Sequence, residues 1–200
     1  MEKKNVITTP AGAAAEHPLE LFAHCPKCGS PHFTIVNAKA KKCEDCGFEY
    51  YANAQAACAC FITDLMDNML VAVRGKEPAI GTYDLPGGFV DMDETGEEAM
   101  ARELREETGI DAFGGLRGGI HRPPKYLFSL PNLYLYSGMT LHTLDLFYHL
   151  KVESLVPYVD QAGDDVARLL IVPTREIVPA DFGLRSIRRA VEMVREEHYF

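Results

Sequence analysis

The chain has 200 residues, 47% of them hydrophobic and 24% charged, a balance typical of a protein that buries a core. Its 29 acidic and 20 basic residues give a formal net charge of −9, which argues against binding duplex nucleic acid by electrostatics alone and leaves room for local basic pockets only. Because we find neither a signal-peptide pattern nor an apolar run of roughly 18 residues, we expect a cytoplasmic protein with no membrane partner.

The N-terminal part of the chain shows two different patterns. Residues 1–18 are rich in Ala, Thr and Pro without periodicity, which predicts a flexible tail. The next segment, 19–51, is too short to bury much apolar surface by itself. It contains two Cys-x-x-Cys pairs, each followed by a glycine: Cys25, Cys28, Cys43 and Cys46.

Two Cys-x-x-Cys pairs can close a tetrahedral site of four thiolates, because each pair forms a tight turn that presents two sulfurs. A redox-active pair is the alternative, but such a pair normally stands alone at the start of a helix. We therefore predict that 19–51 is a zinc ribbon. Its Zn²⁺ would be structural and would supply the folding energy that so short a segment lacks.

From residue 52 onward the pattern alternates between strands and helices, which predicts one domain over 52–200. Four strand patterns precede a closing amphipathic helix at 184–198. The strands are predicted over 54–64, 68–74, 140–152 and 166–173.

An acidic helix is predicted between the second and third of these strands. Thr95 followed by Glu98 is the pattern of a capping box, so the helix should begin at Gly96. Gly109 suits the position just past its end, where a left-handed backbone is common.

Three carboxylates share one face of this helix, because a rotation of about 100° per residue brings Glu103, Glu106 and Glu107 together. Arg102 lies four residues before Glu106 and four after Glu98, so it can pair with either. An ordinary solvated face is one interpretation. The other is a bound hard cation, Mg²⁺ or Mn²⁺, which prefers oxygen ligands and would offset the repulsion among the acids.

The spacing of these residues resembles the box of the Nudix hydrolases, G-x5-E-x7-R-E-U-x-E-E-x-G-U, where U is apolar. The match has no exception, and its residues are Gly88, Glu94, Arg102, Glu103, Leu104, Glu106, Glu107, Gly109 and Ile110. The resemblance implies an α/β fold, namely an α/β/α sandwich with a mixed sheet. It also implies metal-dependent hydrolysis of a nucleoside diphosphate linked to another moiety.

The resemblance assigns roles to individual residues of the box. Glu103, Glu106 and Glu107 would bind Mg²⁺ or Mn²⁺, and the carbonyl of Gly87 would complete the metal shell. Arg102 would orient a glutamate. The proton from the attacking water would go to a carboxylate, for which Glu103, Glu106 and an acid on a later loop are the candidates.

A further acid is often recruited in this family from the loop before the strand that precedes the last helix. Here that loop contains Asp164 and Asp165, which we take as candidates. Surface solubility explains either residue equally well.

A zinc ribbon ahead of a Nudix domain resembles the arrangement of NADH pyrophosphatases. That subfamily carries SQPWPFPxS after the box, whereas this chain has HRPPKYLFSLPNLYLYSG at 121–138. We expect this segment to be a specificity loop, with Tyr126 or Phe128 stacked on a base and Arg74 reaching phosphate or ribose. Alternating aromatic residues are more often the two faces of a strand or a dimer contact.

The sequence therefore predicts an enzyme that hydrolyses the diphosphate of NADH, NAD or an ADP-ribose-like nucleotide, with Mg²⁺ or Mn²⁺ as the catalytic ion. The alternative is a non-catalytic Nudix protein that senses a nucleotide or binds nucleic acid. The complete set of glutamates favours the enzyme, because a Nudix protein that has lost its catalytic activity has no chemical need for all of them. Ribbon-bearing relatives also suggest a homodimer.

Overall fold

The computed structural model describes residues 17–163, 166–197 and 199. The predicted tail at 1–18 therefore lies outside the described residues except for its last two positions. The chain divides into two compact units, one reaching to Ala54 and including Leu133–His142, the other made of Gln55–Asn132 and the chain from Thr143 onward. Within the described part, no helix has the length and apolar character that crossing a membrane requires.

The first unit contains a small antiparallel sheet. Its strands are β1 (Phe33–Asn37), β2 (Ala40–Cys43) and β3 (Glu49–Tyr51), in that spatial order. Its buried cluster is very small, which agrees with the expectation that this segment cannot build a core from apolar residues alone. The cluster consists of Cys25, Phe33 and Cys43, against which Phe22, Cys46 and Phe48 pack.

The second unit contains most of a six-stranded sheet of order β6-β5-β4-β8-β7, in which β9 pairs with β5. Strand β4 runs parallel to β8, whereas β5 runs antiparallel to β4, β6 and β9, so the sheet is mixed as predicted. The strands are β4 (Gln55–Thr63), β5 (Asn68–Arg74), β6 (Tyr83–Asp84), β7 (Ile120–Tyr136), β8 (Met139–Val152) and β9 (Val166–Pro173).

Two helices cover opposite faces of this sheet, because side chains along a strand alternate between its faces. On β4, Cys58 and Cys60 join the apolar cluster that includes α1 (Gly96–Thr108). Ala59 and Phe61 join the cluster that includes α2 (Arg185–Glu197). The α/β/α sandwich is therefore confirmed.

The expectation of a loop over 121–138 is wrong. These residues form most of β7, a strand of 17 residues that turns into β8 through Ser137 and Gly138, both with positive φ (48° and 78°). The loop was expected from the position of the segment after the box. Its prolines do not prevent a strand, because β7 is the last strand in the sheet order and an edge strand tolerates residues that cannot donate a ladder hydrogen bond. The alternating aromatic residues are the signal of the strand.

Candidate active site

The ends of α1 fix where its acidic face points. The hydroxyl of Thr95 accepts a hydrogen bond from the amide of Glu98 at 3.2 Å, and the carboxylate of Glu98 accepts one from the amide of Thr95 at 2.8 Å. The predicted capping box is therefore present. Gly109 is left-handed with φ 72°, and its amide donates to the carbonyl of Arg105 at 3.1 Å. The predicted start and end of the helix are both confirmed.

Arg102 connects three of the box glutamates. Its Nε and Nη2 donate to the two carboxylate oxygens of Glu94, at 2.8 and 3.0 Å. Its Nη1 donates to Oε1 of Glu103 at 2.8 Å and to Oε2 of Glu106 at 3.3 Å. Of the two helix partners considered for Arg102, the structure selects Glu106, since Glu98 is used in the capping box.

This pairing stabilises the charged forms of the groups involved. The hydrogen bond from Arg102 lowers the pKa of Glu94. The same bond to Glu94, followed by that to Glu103, raises the pKa of the Arg102 guanidinium, which stays protonated. Nη2 of Arg102 also donates to the carbonyl of Phe89 at 3.0 Å, so the arginine ties the preceding loop to the helix.

The turn formed by Gly87 and Gly88 follows β6 in the chain and contacts both β4 and α1. The carbonyls of Pro86 and Gly88 accept from the amides of Cys60 and Cys58 at 2.9 and 2.8 Å. The amide of Gly87, between them, donates instead to Oε2 of Glu107 at 2.8 Å. In an extended chain the N–H and C=O of one residue point to the same side, so we expect the Gly87 carbonyl to face the helix as well.

Both glycines are required by the space available. Gly87 has φ 150°, and a Cβ on it would overlap the carbonyl oxygen of Cys58. A Cβ on Gly88 would overlap the carboxylate of Glu103. The backbone of the turn therefore approaches both β4 and the acidic face of α1 more closely than any other residue type permits.

The carboxylates differ in their contact with solvent. Glu107 is buried, the side chain of Glu103 is 15% exposed, and that of Glu106 is 52% exposed. Below them on β4, burial is the main cause that raises the pKa of the Cys58 thiol to about 12, and the charge of Glu103 adds to it. Burial thus favours the neutral thiol at Cys58, whereas the neighbouring helix face is anionic.

The donor set fits a hard divalent cation. It consists of carboxylate oxygens whose combined negative charge exceeds the single positive charge of Arg102. In the described part of the chain, only the four cysteines bring three or more potential ligand atoms within 4.8 Å of one another, so the carboxylates form an open set. Mg²⁺ suits such a set because it keeps several waters and also takes oxygens from substrate phosphates.

The sequence matches the NUDIX domain family over residues 53–182. The chain belongs to the Nudix family. The crystal structure of a NUDIX hydrolase from Nitrosomonas europaea superposes on 88% of this chain and 92% of its own, with a TM-score of 0.60 and 19% identity, which shows the shared fold.

Two curated proteins show similarity at the level of sequence. The NAD-capped RNA hydrolase NudC of Stutzerimonas stutzeri strain A1501 is 34% identical over 159 residues, which are 78% of this chain and 50% of that protein. The ADP-ribose pyrophosphatase of Methanocaldococcus jannaschii is 49% identical over 45 residues, 22% of this chain and 27% of that protein. This chain thus spans about half the length of the NudC relative.

The residues predicted to meet the nucleotide lie in different surroundings in the Nudix domain. The ring of Tyr126 is 46% exposed and packs edge-on against Tyr148, with 5.7 Å between centroids. Phe128 packs instead against Phe147, at 5.3 Å, in the core on the α2 side. Base stacking stays a prediction for both, and it needs less rearrangement at Tyr126.

Arg74 is mostly buried, with 14% of its side chain exposed. Its guanidinium pairs with Asp84 and donates through Nε to the carbonyl of Pro78 at 2.6 Å. Sequence reasoning missed Asp84 as a partner. Its position directly before Leu-Pro-Gly-Gly was the available signal, because an acid beside such a turn can hold backbone amides.

Asp164 and Asp165 lie outside the described residues, so the prediction of a further acid stays a prediction. Gly163 precedes them and is described. Its amide donates to the carbonyl of Glu107 at 3.2 Å, so the chain reaches the C-terminal end of α1 just before the two acids.

The four ribbon cysteines fit a tetrathiolate site. The Sγ atoms of Cys25 and Cys46 are 3.7 Å apart, and those of Cys28 and Cys43 are 3.6 Å apart. A tetrahedral site with Zn–S bonds of about 2.3 Å requires about 3.8 Å between sulfurs, whereas a disulfide requires about 2.05 Å.

Proposed function

We propose that this Nudix domain hydrolyses the diphosphate of a nucleoside diphosphate linked to a second moiety, in a reaction that depends on Mg²⁺ or Mn²⁺. The observation that carries the proposal is the complete and organised set of carboxylates. Arg102 holds Glu94, Glu103 and Glu106, and the Gly87 amide holds Glu107. A structural role alone does not explain so many acids on one helix face, because they repel one another.

Glu103, Glu106 and Glu107 would hold the cation, with the carbonyl of Gly87. A bound divalent cation would act as a Lewis acid, which would offset the negative charge of the diphosphate and activate water for attack at phosphorus. Glu103 and Glu107 are held by hydrogen bonds to Arg102 and Gly87, so they enter the reaction already oriented.

Glu106 is the better placed of the two candidate bases on α1. Its side chain has the greater exposure, and its bond to Arg102, at 3.3 Å, is longer than the 2.8 Å bond of Glu103. Glu106 would take the proton from water and release it to solvent.

The substrate we propose contains an ADP-ribose portion, as NAD, NADH and ADP-ribose do. Support comes from the similarity to proteins named NAD-capped RNA hydrolase and ADP-ribose pyrophosphatase. The half-exposed ring of Tyr126 offers a surface for a base. The absence of SQPWPFPxS from the sequence leaves the choice within this class to experiment.

For the ribbon we propose one structural Zn²⁺ held by Cys25, Cys28, Cys43 and Cys46. The distances between sulfurs support a tetrahedral ion. The homodimer stays a prediction from ribbon-bearing relatives.

A substrate screen tests the proposed function. NADH, NAD, ADP-ribose, NAD-capped RNA and dNTPs are incubated with the full chain and Mg²⁺ or Mn²⁺, and products are separated by chromatography. We expect AMP from at least one substrate with an ADP-ribose portion, and loss of the activity in Glu106→Gln but not in the control Glu192→Gln on α2. Tight nucleotide binding without turnover under all conditions would favour the non-catalytic alternative.

A further inference from the structure

We propose that Arg74 is a positioning residue that acts through Asp84 to hold the Gly87 turn in place for the divalent cation, and that it does not contact the nucleotide. This inference rests on the proposed function, since it concerns the same site. This role replaces the contact with phosphate or ribose that was expected from the sequence.

Arg74 closes the connection between β5 and β6 with its backbone as well as its side chain. Its amide donates to the carbonyl of Thr82 at 3.0 Å, and its carbonyl accepts from the amide of Gly81 at 2.9 Å. Nε donates to the carbonyl of Pro78, and Nη1 pairs with Oδ2 of Asp84. Two edges of the guanidinium are thus occupied by hydrogen bonds within the protein.

Asp84 passes this constraint to the turn. Its Oδ1 accepts a hydrogen bond from the amide of Leu85 at 2.9 Å, which fixes the direction of the chain as it leaves β6. Leu85 is only 3% exposed and packs in the core on the α2 side. Three residues after Asp84 the chain reaches Gly87, whose amide holds Glu107.

The turn has two further attachments, one on each side of Gly87. Pro86 and Gly88 are bonded to β4 through Cys60 and Cys58. The Arg74–Asp84 pair is therefore an upstream anchor in addition to the Pro86 bond, and it sets the direction in which the chain enters the turn. Without the upstream anchor, the Gly87 amide and carbonyl would lose their registration with the acidic face of α1.

Electrostatics explain why Arg74 cannot leave Asp84 for a phosphate. The side chains of the two residues are 14% and 12% exposed, so the pair is largely removed from water. Burial is the largest influence on Asp84 and raises its pKa, whereas the charge and hydrogen bond of Arg74 lower it. If the guanidinium turned to a substrate, Asp84 would be left buried without its cation, which is costly.

Two conservative variants test the inference. Arg74→Lys keeps the charge but cannot bond Asp84 and Pro78 through a rigid fork. Asp84→Asn keeps the shape and an acceptor for Leu85 but removes the charge. The control is Thr63→Val, which removes a buried hydrogen bond to His149 elsewhere in the sheet, at 2.8 Å.

Mn²⁺ binding to the substrate-free protein is measured by electron paramagnetic resonance, and KM is measured separately at saturating Mn²⁺. We expect the Mn²⁺ dissociation constant to rise about 10- to 100-fold in both variants, with KM unchanged, since this is the range for residues that orient metal ligands. Thr63→Val should bind Mn²⁺ as the wild type does, even if its melting temperature falls.

An increase in KM with unchanged Mn²⁺ binding would overturn the inference and restore Arg74 as a nucleotide contact. Unchanged Mn²⁺ binding and unchanged KM would also overturn it. If a single variant fails to fold, Arg74→Met with Asp84→Leu replaces the pair by apolar side chains. This double variant should bind Mn²⁺ more weakly than the wild type, because the Leu85 amide loses its acceptor. An Mn²⁺ affinity equal to that of the wild type would again count against the inference.

The two proposals fail in distinguishable ways. A wild-type protein that turns over no nucleotide would contradict the proposed function. The Mn²⁺ measurement needs no substrate, so it still compares wild type with the variants and decides the role of Arg74.

Discussion

The amide of Gly87 donates to Oε2 of Glu107 over 2.8 Å, so the glycine turn and the acidic helix meet at a carboxylate. This hydrogen bond joins two segments that are 20 residues apart in sequence. With the Gly87 amide directed to α1, we expect the carbonyl of Gly87 to face the acidic side of the helix as well.

Glu107→Gln should retain the fold and lose activity. The amide oxygen of glutamine can still accept from Gly87, but the negative charge that would hold a cation is gone. We expect kcat/KM to fall about 100- to 1,000-fold, the range for removing one preorganised electrostatic group. Steady-state kinetics with a thermal melt check this, with Glu192→Gln as the control. Activity close to wild type would remove Glu107 from the metal site.

Alanine at the two glycines of the turn should have different effects. Gly87→Ala would bring a Cβ against the backbone of Cys58, which cannot move easily, so we expect a loss of about 1–3 kcal/mol of stability. Gly88→Ala would meet the side chain of Glu103, which can move, so the loss should appear in activity instead. Urea unfolding and kinetics measure both effects.

Gly118→Ala is the control for these two variants, because a Cβ there meets no atom within 4 Å. The account of the turn is wrong if Gly87→Ala is as stable as Gly118→Ala. It is equally wrong if Gly88→Ala keeps full activity.

His149 should make stability depend on pH. Burial, with help from neighbouring cations, lowers its pKa from 6.5 to about 4. As the pH falls from about 6.5 to about 4, the unfolded chain takes up a proton that the folded protein does not, so the free energy of unfolding decreases by about 1.4 kcal/mol per pH unit. Above pH 6.5 this residue should contribute no pH dependence.

Urea unfolding across this pH range checks the effect. His149→Gln should show a shallower decrease than the wild type, since the other titrating groups are common to both proteins. Equal slopes would show that His149 is not held neutral in the folded state.

Cys43→Ser should lower the zinc content of the purified chain and the stability of the ribbon. Cys43 is fully buried, and its Sγ lies 3.6 Å from the Sγ of Cys28. Its loss therefore removes one of the four ligands of the tetrahedral site. Atomic absorption spectroscopy gives the stoichiometry. Cys60→Ala, which changes a cysteine in the core of the sheet, should leave zinc unchanged. Equal zinc in wild type and Cys43→Ser would contradict the ribbon.

Much of the fold was predictable because its signals are local. The capping box of Thr95 and Glu98 and the left-handed Gly109 act within one helix, so both boundaries of α1 follow from the sequence. The strand at 120–136 was not predicted, because the segment was interpreted from its place after the box, and its three prolines are unusual in a strand. What permits them is the place of β7 at the sheet edge, which is a property of the topology.

The site was predictable to the extent that its residues share one helix. The helical period brings Glu103, Glu106 and Glu107 to one face without any tertiary information. The bond between Arg74 and Asp84 joins positions ten residues apart across two strands, and strand pairing alone decides it. The different surroundings of Tyr126 and Phe128 likewise depend on how β7 packs, because Tyr126 contacts Tyr148 and Phe128 contacts Phe147.

The most direct measurement is a crystal structure of the protein soaked with Mn²⁺ and ADP-ribose. The account predicts anomalous density for Mn²⁺ beside Glu103, Glu106 and Glu107, with the diphosphate of the nucleotide as a further ligand. A structure with nucleotide bound and these carboxylates turned to solvent without Mn²⁺ would contradict it.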